Sequence, residues 1–245
     1  MSERIAIISD VHGNRHALEA VRRAIRQASI TRVWCLGDMV GYGAHPAECL
    51  RVCVHESERC IAGNHDLAAA GRVDAGVFSA QARTAIEWTR TRMDRNALDR
   101  LAALEAEDVE GDVALFHASP RDPVWEYVVT GDHARAAIEA SPARITMIGH
   151  THLSGAWRLG DDGRLDGGLV RGEETISLGT GRWLVNPGSV GQPRDLDPRA
   201  SWAILDMEAL TLRFRRTPYD VPGAQNAIQA AGLPADLGAR LAEGR

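Results

Sequence analysis

The feature that most constrains this chain is a series of short apolar runs, each followed closely by a side chain that can bind a metal ion. Five such runs, at residues 4–8, 33–36, 59–62, 113–116 and 145–148, lead to Asp10, Asp38, Asn64, His117 and His150. Runs of this length and composition predict buried strands. The first three alternate with helical periodicity over about 14–28 and 46–55, which predicts a mainly parallel sheet.

The second half of the chain has a different texture. Helices are predicted at 78–105 and 131–140, and short strands follow at 153–159, 165–170, 174–178, 182–186, 201–206 and 210–216. No repeat, low-complexity tract or linker interrupts the pattern. We therefore expect a single domain over residues 1–245, with a helical flank at about 67–111 and a C-terminal helical tail at about 222–245.

Composition and charge argue against several classes of protein. The 245 residues include 28 basic and 33 acidic side chains, and the net charge of −5 disfavours a nucleic-acid or anionic-membrane partner. The N-terminus reaches Glu3 too early for a signal peptide, and no apolar run approaches the ~18 residues of a membrane span, so a cytoplasmic protein is expected. The four cysteines form no Cys-x-x-Cys pair and are interpreted as small buried hydrophobic side chains, with a structural metal site as the alternative. Assembly into a homo-oligomer is left open.

The polar ends of the predicted strands are expected to meet at one place. In an open α/β sheet, functional groups gather at the carboxyl ends of the strands. Five of the nine histidines lie in the segments that follow the five runs. The other histidines are interpreted as surface or helix residues: His16, His45, His55 and His133.

These segments carry side chains that match a particular metal chemistry. The set is rich in imidazole and carboxylate and has no thiolate, which suits Mn, Fe, Zn, Co or Ni. It is too large for one tetrahedral ion but fits two divalent metal ions that share a carboxylate. Two such ions can polarise phosphate oxygens and supply a hydroxide for in-line displacement at phosphorus. Each piece alone also fits ordinary turn and N-cap chemistry, but the complete series after successive strands argues against that interpretation.

The motifs themselves resemble those of a known family. SDVHGN, GDMVGYG, GNHD, FHAS and GHTH look like the five motifs of the calcineurin-like metallophosphoesterases. NPGSVGQPR, at residues 186–194, is similar to the segment that follows in compact bacterial members. The resemblance spans residues 9–194 and implies a four-layer α/β/β/α sandwich of two mixed sheets, within the α/β (α+β) class. It also implies a metal-dependent hydrolase of phosphoester bonds.

The resemblance assigns a role to individual residues. It implies that a first metal is bound by Asp10, His12 and His152, and a second by Asn64, His117 and His150. Asp38 would bridge the two ions. His65 would protonate the leaving oxygen, and Asp66 would accept a hydrogen bond from His65 that orients the ring and favours the imidazolium.

One segment departs from the pattern of the protein-phosphatase branch of the family. That branch carries Gly-Asp-x-x-Asp-Arg-Gly, in which the arginine grips the phosphate. Gly41 and Tyr42 stand at the aspartate and arginine positions of this chain, so a charge-assisted clamp is missing there. We expect substrate contacts from Tyr42, Asn14 and Arg194, with Arg121 as a further candidate for the clamp.

These residues are compatible with three hydrolase functions and argue against a non-catalytic one. The favoured one is a two-metal phosphoesterase that acts on a small phosphodiester or phosphomonoester. A protein Ser/Thr phosphatase and a dinucleoside-polyphosphate hydrolase are alternatives within the hydrolases. A metal-free binding scaffold, as in the retromer subunit that resembles this family, is disfavoured because all seven ligand positions and the candidate acid are present. The acidic balance argues against a nuclease.

Overall fold

The strands of this protein form two mixed sheets. The computed structural model describes residues 4–245, and the Glu3 used in the signal-peptide argument lies outside the described residues. The strands are β1 Arg4–Ile8, β2 Arg32–Cys35, β3 Arg59–Cys60, β4 Glu107–Glu110, β5 Val113–Phe116, β6 Ile145–Met147, β7 Ser154–Leu159, β8 Leu165–Leu169, β9 Thr175–Ser177, β10 Arg182–Pro187, β11 Ala200–Asp206 and β12 Thr211–Thr217. Their order is β3-β2-β1-β11-β12-β9 in the first sheet and β4-β5-β6-β10-β7-β8 in the second.

The helices surround these sheets. They are α1 Arg15–Gln27, α2 Pro46–Glu56, α3 Asn64–Ala69, α4 Ala80–Thr91, α5 Arg95–Ala102, α6 Gly131–Ala140, α7 Val221–Ala230 and α8 Ala235–Glu243. A single 3₁₀ turn, Ala75–Val77, precedes α4. No helix in the described part of the chain is both long enough and apolar enough to cross a bilayer.

The side chains of β1 show how the layers are assembled. Ile5 and Ile7 belong to an apolar cluster that also contains Val113 and Met147 of the second sheet. Ala6 and Ile8, which alternate with them, belong to a cluster formed with α1 and α2. A strand that buries both faces in this way must lie between two layers. The second sheet is covered on its outer side by α6, so the predicted four-layer α/β/β/α sandwich is confirmed.

The parallel strands bring the polar segments to one edge. In the first sheet β1 pairs in parallel with β2, and β2 with β3. In the second sheet β6 pairs in parallel with both β5 and β10. The carboxyl ends of these strands therefore lead into the segments at Asp10, Asp38, Asn64, His117 and His150, as expected for the edge of an α/β sheet.

The structure differs from the predicted elements in the segment at 67–111. The continuous helix expected over 78–105 is divided into two helices, α4 and α5. Asp94 is the N-cap of α5, and its side chain accepts a hydrogen bond from Ala97 N at 2.7 Å. The flank also ends in a strand, β4, and is therefore not helical throughout. β4 has the sequence EDVE and lies at the edge of its sheet, so it lacks the apolar run that reveals a central strand.

Candidate metal centre

The backbone of the predicted site is unusual. Nine non-glycine residues of the described chain have a positive φ, and six of them lie in the predicted site: Asp10, His12, Asp38, Tyr42, His150 and His152. The left-handed region is unfavourable for side-chain-bearing residues and persists only where the surroundings enforce it. Such residues cluster at functional sites, so the backbone marks the same place as the side-chain pattern.

Three of the predicted ligands form a buried group. Asp10, His12 and His152 lie with their ligand atoms within 4.8 Å of one another. The Nε2 atoms of His12 and His152 are 3.0 Å apart, and Asp10 Oδ1 is 3.4 Å from His152 Nε2. Asp10 Oδ1 finds no hydrogen-bond partner among residues 4–245. The three side chains thus direct their lone pairs at a common point.

A second buried group adjoins the first. Asp38, His117 and His150 also lie with their ligand atoms within 4.8 Å of one another. Asn64 Oδ1 is 3.2 Å from His117 Nε2, so the amide reaches the same group. Asp38 Oδ2 is 3.5 Å from His117 Nε2 and 3.5 Å from His12 Nε2. One carboxylate oxygen therefore lies between the two groups.

The hydrogen bonds of the imidazoles show that the residues fit a cation. His12 Nδ1 is 3.1 Å from the carbonyl of Val40, and His152 Nδ1 is 2.6 Å from the carbonyl of Gln192. A carbonyl can only accept, so both Nδ1 atoms donate, and each Nε2 of a neutral ring presents a lone pair. Burial lowers the pKa of both rings well below the usual value. Two lone pairs 3.0 Å apart repel each other unless a cation lies between them.

A backbone carbonyl also orients an imidazole in the second group. His117 Nδ1 is 2.8 Å from the carbonyl of Leu36, which leaves Nε2 directed at Asp38. His150 Nε2 is buried and has no hydrogen-bond partner among residues 4–245. A backbone partner for Nδ1 is the usual way in which a protein orients a metal-binding histidine. The donor set of imidazole, carboxylate and amide suits a divalent transition metal.

Several titratable side chains are buried close together in the site, and this shifts their pKa values. Burial raises the pKa of Asp10 to about 7, since its charged form is desolvated. Burial lowers the pKa of His150 to about 3. Burial also opposes the charge on His117, but the adjacent Asp38 carboxylate outweighs it and raises the pKa of His117 to about 9. A divalent cation would relieve these conflicts, because it stabilises carboxylates and neutral imidazoles together.

His65 lies beside the two groups and is held by packing. Its ring centroid is 4.5 Å from Tyr42 and 4.8 Å from His12, and its backbone N–H donates to Asp38 Oδ1 at 2.8 Å. His65 Nδ1 has no hydrogen-bond partner within residues 4–245. Gly41 makes this position possible, because a Cβ at Gly41 would lie 2.5 Å from His65 Nδ1. Burial lowers the pKa of His65 to about 4.

The predicted hydrogen bond from His65 to Asp66 is wrong. The Asp66 carboxylate instead accepts three backbone N–H groups, from Gly63 at 3.0 Å, Met39 at 3.2 Å and Val40 at 3.1 Å. Gly63 is the N-cap of α3 and Asp66 is its third residue, so the bond to Gly63 is a helix cap. The bonds to Met39 and Val40 attach this helix to the loop after Asp38. Asp66 is therefore a positioning residue for two loops.

The residues predicted to contact the substrate differ in what they contact in the structure. Tyr42 packs against the site, with its ring centroid 4.7 Å from that of His12. Arg194 is half-buried near the site. Burial is the main cause of the raised pKa of Asp10 and of the lowered pKa values of His65, His150 and His152, and the charge of Arg194 opposes the first shift and adds to the others. Asn14 caps α1, since its Oδ1 accepts from Ala17 N at 3.1 Å, and its Nδ2 donates to the carbonyl of Gly191 at 2.9 Å. Its substrate contact stays a prediction.

Arg121, the further candidate for the phosphate clamp, is engaged elsewhere. It forms an ion pair with Glu126, and its Nε donates to Glu126 Oε2 at 3.1 Å. Arg194 differs, since it forms no ion pair with a carboxylate in the described chain and its Nη2 contacts only the Gln192 amide oxygen, at 3.3 Å. Of these two arginines, only Arg194 has its charge available to the site.

Sequence reasoning missed the residues that support the metal centre from behind. Asn186 donates to the carbonyl of Gly149 at 2.7 Å and to Thr151 Oγ1 at 2.9 Å. Ser189 Oγ donates to the carbonyl of Asp10 at 2.8 Å. These residues lie in NPGSVGQPR, so the resemblance located the segment but did not indicate what it does.

Sequence reasoning also missed three aromatic residues at the site. The Phe78 ring centroid is 4.9 Å from that of His65, and the Trp125 ring centroid is 5.1 Å from that of Phe78. The Tyr127 ring centroid is 4.2 Å from that of His150. No motif or periodic spacing connects these residues in the sequence, so only the fold brings them together.

Comparison with known proteins agrees with this geometry. A profile of the Calcineurin-like phosphoesterase superfamily domain matches residues 4–210. The chain belongs to this superfamily. It is 34% identical to the uncharacterized protein MJ0912 of Methanocaldococcus jannaschii, with 98% of each chain covered. The helices α7 and α8 lie beyond the matched domain.

Solved structures of related proteins have the same architecture. The crystal structure of a metallophosphoesterase from Sphaerobacter thermophilus superimposes with a TM-score of 0.90 at 36% identity, with both chains covered completely. A hypothetical protein, PH1004, from Pyrococcus horikoshii OT3 gives a TM-score of 0.80 at 18% identity, with 99% of this chain and 98% of that one covered, and shares the fold. Membership of this superfamily identifies the protein as a hydrolase that acts on phosphoester bonds and uses divalent metals.

Proposed function

We propose that this protein is a two-metal phosphoesterase that hydrolyses a small phosphodiester or phosphomonoester. The observation that carries the proposal is the position of Asp38 Oδ2, which is 3.5 Å from an imidazole nitrogen of each of the two buried groups. A shared carboxylate between two sets of N and O donors is suited to a pair of divalent ions. Mn, Fe, Zn, Co and Ni all match the donor set.

The ligands divide between the two ions in this proposal. Asp10, His12 and His152 hold the first, and Asn64, His117 and His150 hold the second, with Asp38 bridging them. When bound, two such ions polarise the phosphate oxygens and provide a nucleophile near neutral pH. The protein contributes the orientation of the ligands, since backbone carbonyls fix three of the imidazoles.

His65 is the proposed general acid for the leaving oxygen. Its ring packs between Tyr42 and Phe78, and its Nδ1 has no hydrogen-bond partner in the part of the chain that the structure describes. Burial lowers the pKa of His65 to about 4, so the free ring is neutral near pH 7. An anionic phosphate opposes this shift, and we therefore propose that His65 acquires its proton as the substrate binds. Asp66 acts only through the loops that it joins.

Tyr42 and Arg194 are the proposed contacts to the phosphate. A monoester dianion gains more from a guanidinium clamp than a diester does, and this chain has a phenol where the protein-phosphatase branch has arginine. Arg194 supplies one positive charge from another segment. We propose that aryl phosphodiesters are cleaved at least as efficiently as the matching monoesters, and that phosphopeptides are poor substrates.

The proposal is tested by a turnover screen of the purified protein with Mn²⁺ added. The screen covers a monoester and a diester with the same leaving group, cyclic nucleotides, dinucleoside polyphosphates and a phosphopeptide. We expect hydrolysis that chelation abolishes, with kcat/KM for the diester equal to or above that for the monoester. A strong preference for the phosphopeptide would establish the protein-phosphatase alternative. A protein that binds no divalent metal and cleaves none of these esters would support the metal-free binding scaffold instead.

A further inference from the structure

We infer that Phe78, Trp125 and Tyr127, here called the aromatic wall, form a subsite for a planar aromatic group of the phosphoester substrate. The inference rests on the proposed function and adds a substrate class to it. The planar group is either a nucleobase or a simple aryl ring, since both present a flat π-face that stacks on aromatic side chains.

The aromatic wall begins at the proposed general acid. The Phe78 ring meets the His65 ring edge to face, with an interplanar angle of 72° and a centroid distance of 4.9 Å. Trp125 meets Phe78 in the same way, at 65° and 5.1 Å. His65 also contacts Tyr42 at 4.5 Å. A series of rings therefore extends from the site towards the surface on the side where the leaving group is protonated.

The aromatic wall also reaches the second group of ligands. The Tyr127 ring centroid is 4.2 Å from that of His150, at an interplanar angle of 47°. The rings thus border the site on the side of His65 and on the side of His150.

The exposure of this region is that of a binding surface. Tyr127 is 49% exposed, and Val129, two residues further along the chain, is 41% exposed. Val77, next to Phe78, is 65% exposed, while Phe78 and Trp125 are half-buried. Large apolar side chains exposed beside a polar cluster are typical of ligand-binding sites. Because Phe78 contacts His65 and Tyr127 contacts His150, the occupant that fits the aromatic wall is the organic group attached to the phosphorus.

The rings are held in place by the protein itself. Phe78 packs on an apolar cluster that includes Ala82 and Ala85 of α4 and Leu237 of α8. The loop that carries Trp125 is closed by Asp122, whose Oδ1 accepts the N–H of Trp125 at 3.1 Å. A surface that is already ordered loses little conformational entropy when a ligand binds.

Binding of phosphonates to the Mn²⁺-loaded full chain tests the subsite without depending on turnover. Calorimetry measures Kd for methylphosphonate, phenylphosphonate and an adenosine 5′-phosphonate, in the wild type and in the double variant Phe78→Leu/Trp125→Leu. Leucine keeps an apolar side chain at each position but removes the π-face. Trp88→Leu is the matched control, because Trp88 is also half-buried and aromatic, but its ring lies under Arg92 and makes no ring contact with His65 or His150 in the described chain.

We expect the wild type to bind phenylphosphonate roughly 3- to 10-fold more tightly than methylphosphonate, the size of a stacking contribution. The ratio should fall towards one in the double variant and stay unchanged in Trp88→Leu. A nucleobase is the natural group if the adenosine phosphonate binds more tightly than the phenyl compound, and an aryl ring if it does not. Should the double variant fail to fold by circular dichroism, Tyr127→Leu replaces it, because this side chain is 49% exposed.

A wild-type ratio close to one, or a ratio that the substitutions at the aromatic wall do not change, would overturn the subsite. These results are independent of the proposed function. Hydrolysis without a phenyl preference would remove only the subsite. A phenyl preference that the double variant loses, in a protein that cleaves no ester, would remove only the enzymatic proposal.

Discussion

The metal centre and the aromatic wall touch each other but are built in opposite ways. The side chains of the centre are buried, and backbone carbonyls fix three of its imidazoles. Six of its residues have the left-handed backbone conformation. The aromatic wall is half-buried or exposed, and its rings come from the segment before α4 and from the loop before α6.

This difference separates the chemistry from the choice of substrate. The centre depends on the ends of parallel strands, so its geometry is a consequence of the fold and of the hydrogen bonds around it. The aromatic wall depends on connecting segments, which can change in sequence without disturbing the strands. Substitutions in the centre should therefore remove activity for every ester, whereas those in the aromatic wall should alter selectivity between esters.

The largest effect is expected from Asp38→Asn. The substitution removes the charge that both groups of ligands share, so both ions should be bound more weakly and hydrolysis of all esters should fall to background. Elemental analysis together with kcat/KM for an aryl diester measures both effects. Asp132→Asn, on the exposed start of α6, is the matched control and should change neither. Full activity in Asp38→Asn would contradict a shared carboxylate.

His65→Ala should separate proton transfer from metal binding. Because His65 is assigned to the leaving oxygen, the variant should keep its metal content and lose roughly 10²- to 10⁴-fold in kcat. The loss should shrink for esters with very good leaving groups, which need no proton. His55→Ala, at an exposed position of α2, serves as the control. Loss of metal in His65→Ala would make His65 a ligand, which its proximity to His12 and Asp38 also permits.

The sequence predicted which side chains come together far better than it predicted their surroundings. The proximity of the proposed ligands could be predicted because each follows a strand, and the ends of parallel strands meet whatever the side chains around them. The partners of Asp66 could not, because they are backbone N–H groups of another loop. Trp125 and Phe78 carry no shared pattern, so their contact depends on the tertiary fold.

Gly41→Ala should displace His65 without touching a ligand. The added Cβ would lie 2.5 Å from His65 Nδ1, and φ at Gly41 is +86°, a conformation that alanine disfavours. We expect a loss of about a hundredfold in kcat with metal content retained, because a small misplacement of a catalytic group is costly. Gly168→Ala is the control, since nothing lies within 4 Å of its added Cβ. Unchanged kinetics in Gly41→Ala would show that the position of His65 is unimportant.

The smallest effect is expected from Arg194→Met. Loss of one charge near the phosphate should reduce kcat/KM by about tenfold, mainly through KM, and more for a monoester than for the matching diester. Steady-state kinetics with the matched pair of esters measures the ratio. Arg121→Met is the control, because Arg121 is already paired with Glu126. A monoester-to-diester ratio equal to that of the wild type would place Arg194 away from the phosphate.

Electron paramagnetic resonance of the protein titrated with Mn²⁺ can show whether Asp38 joins two ions. Two Mn²⁺ ions that share a carboxylate interact magnetically, so we expect a coupled spectrum that grows in as the second equivalent is added. The same titration of Asp38→Asn should give only the signal of isolated ions. A wild-type spectrum of isolated Mn²⁺, saturating at one ion per chain, would contradict a pair of ions bridged by Asp38.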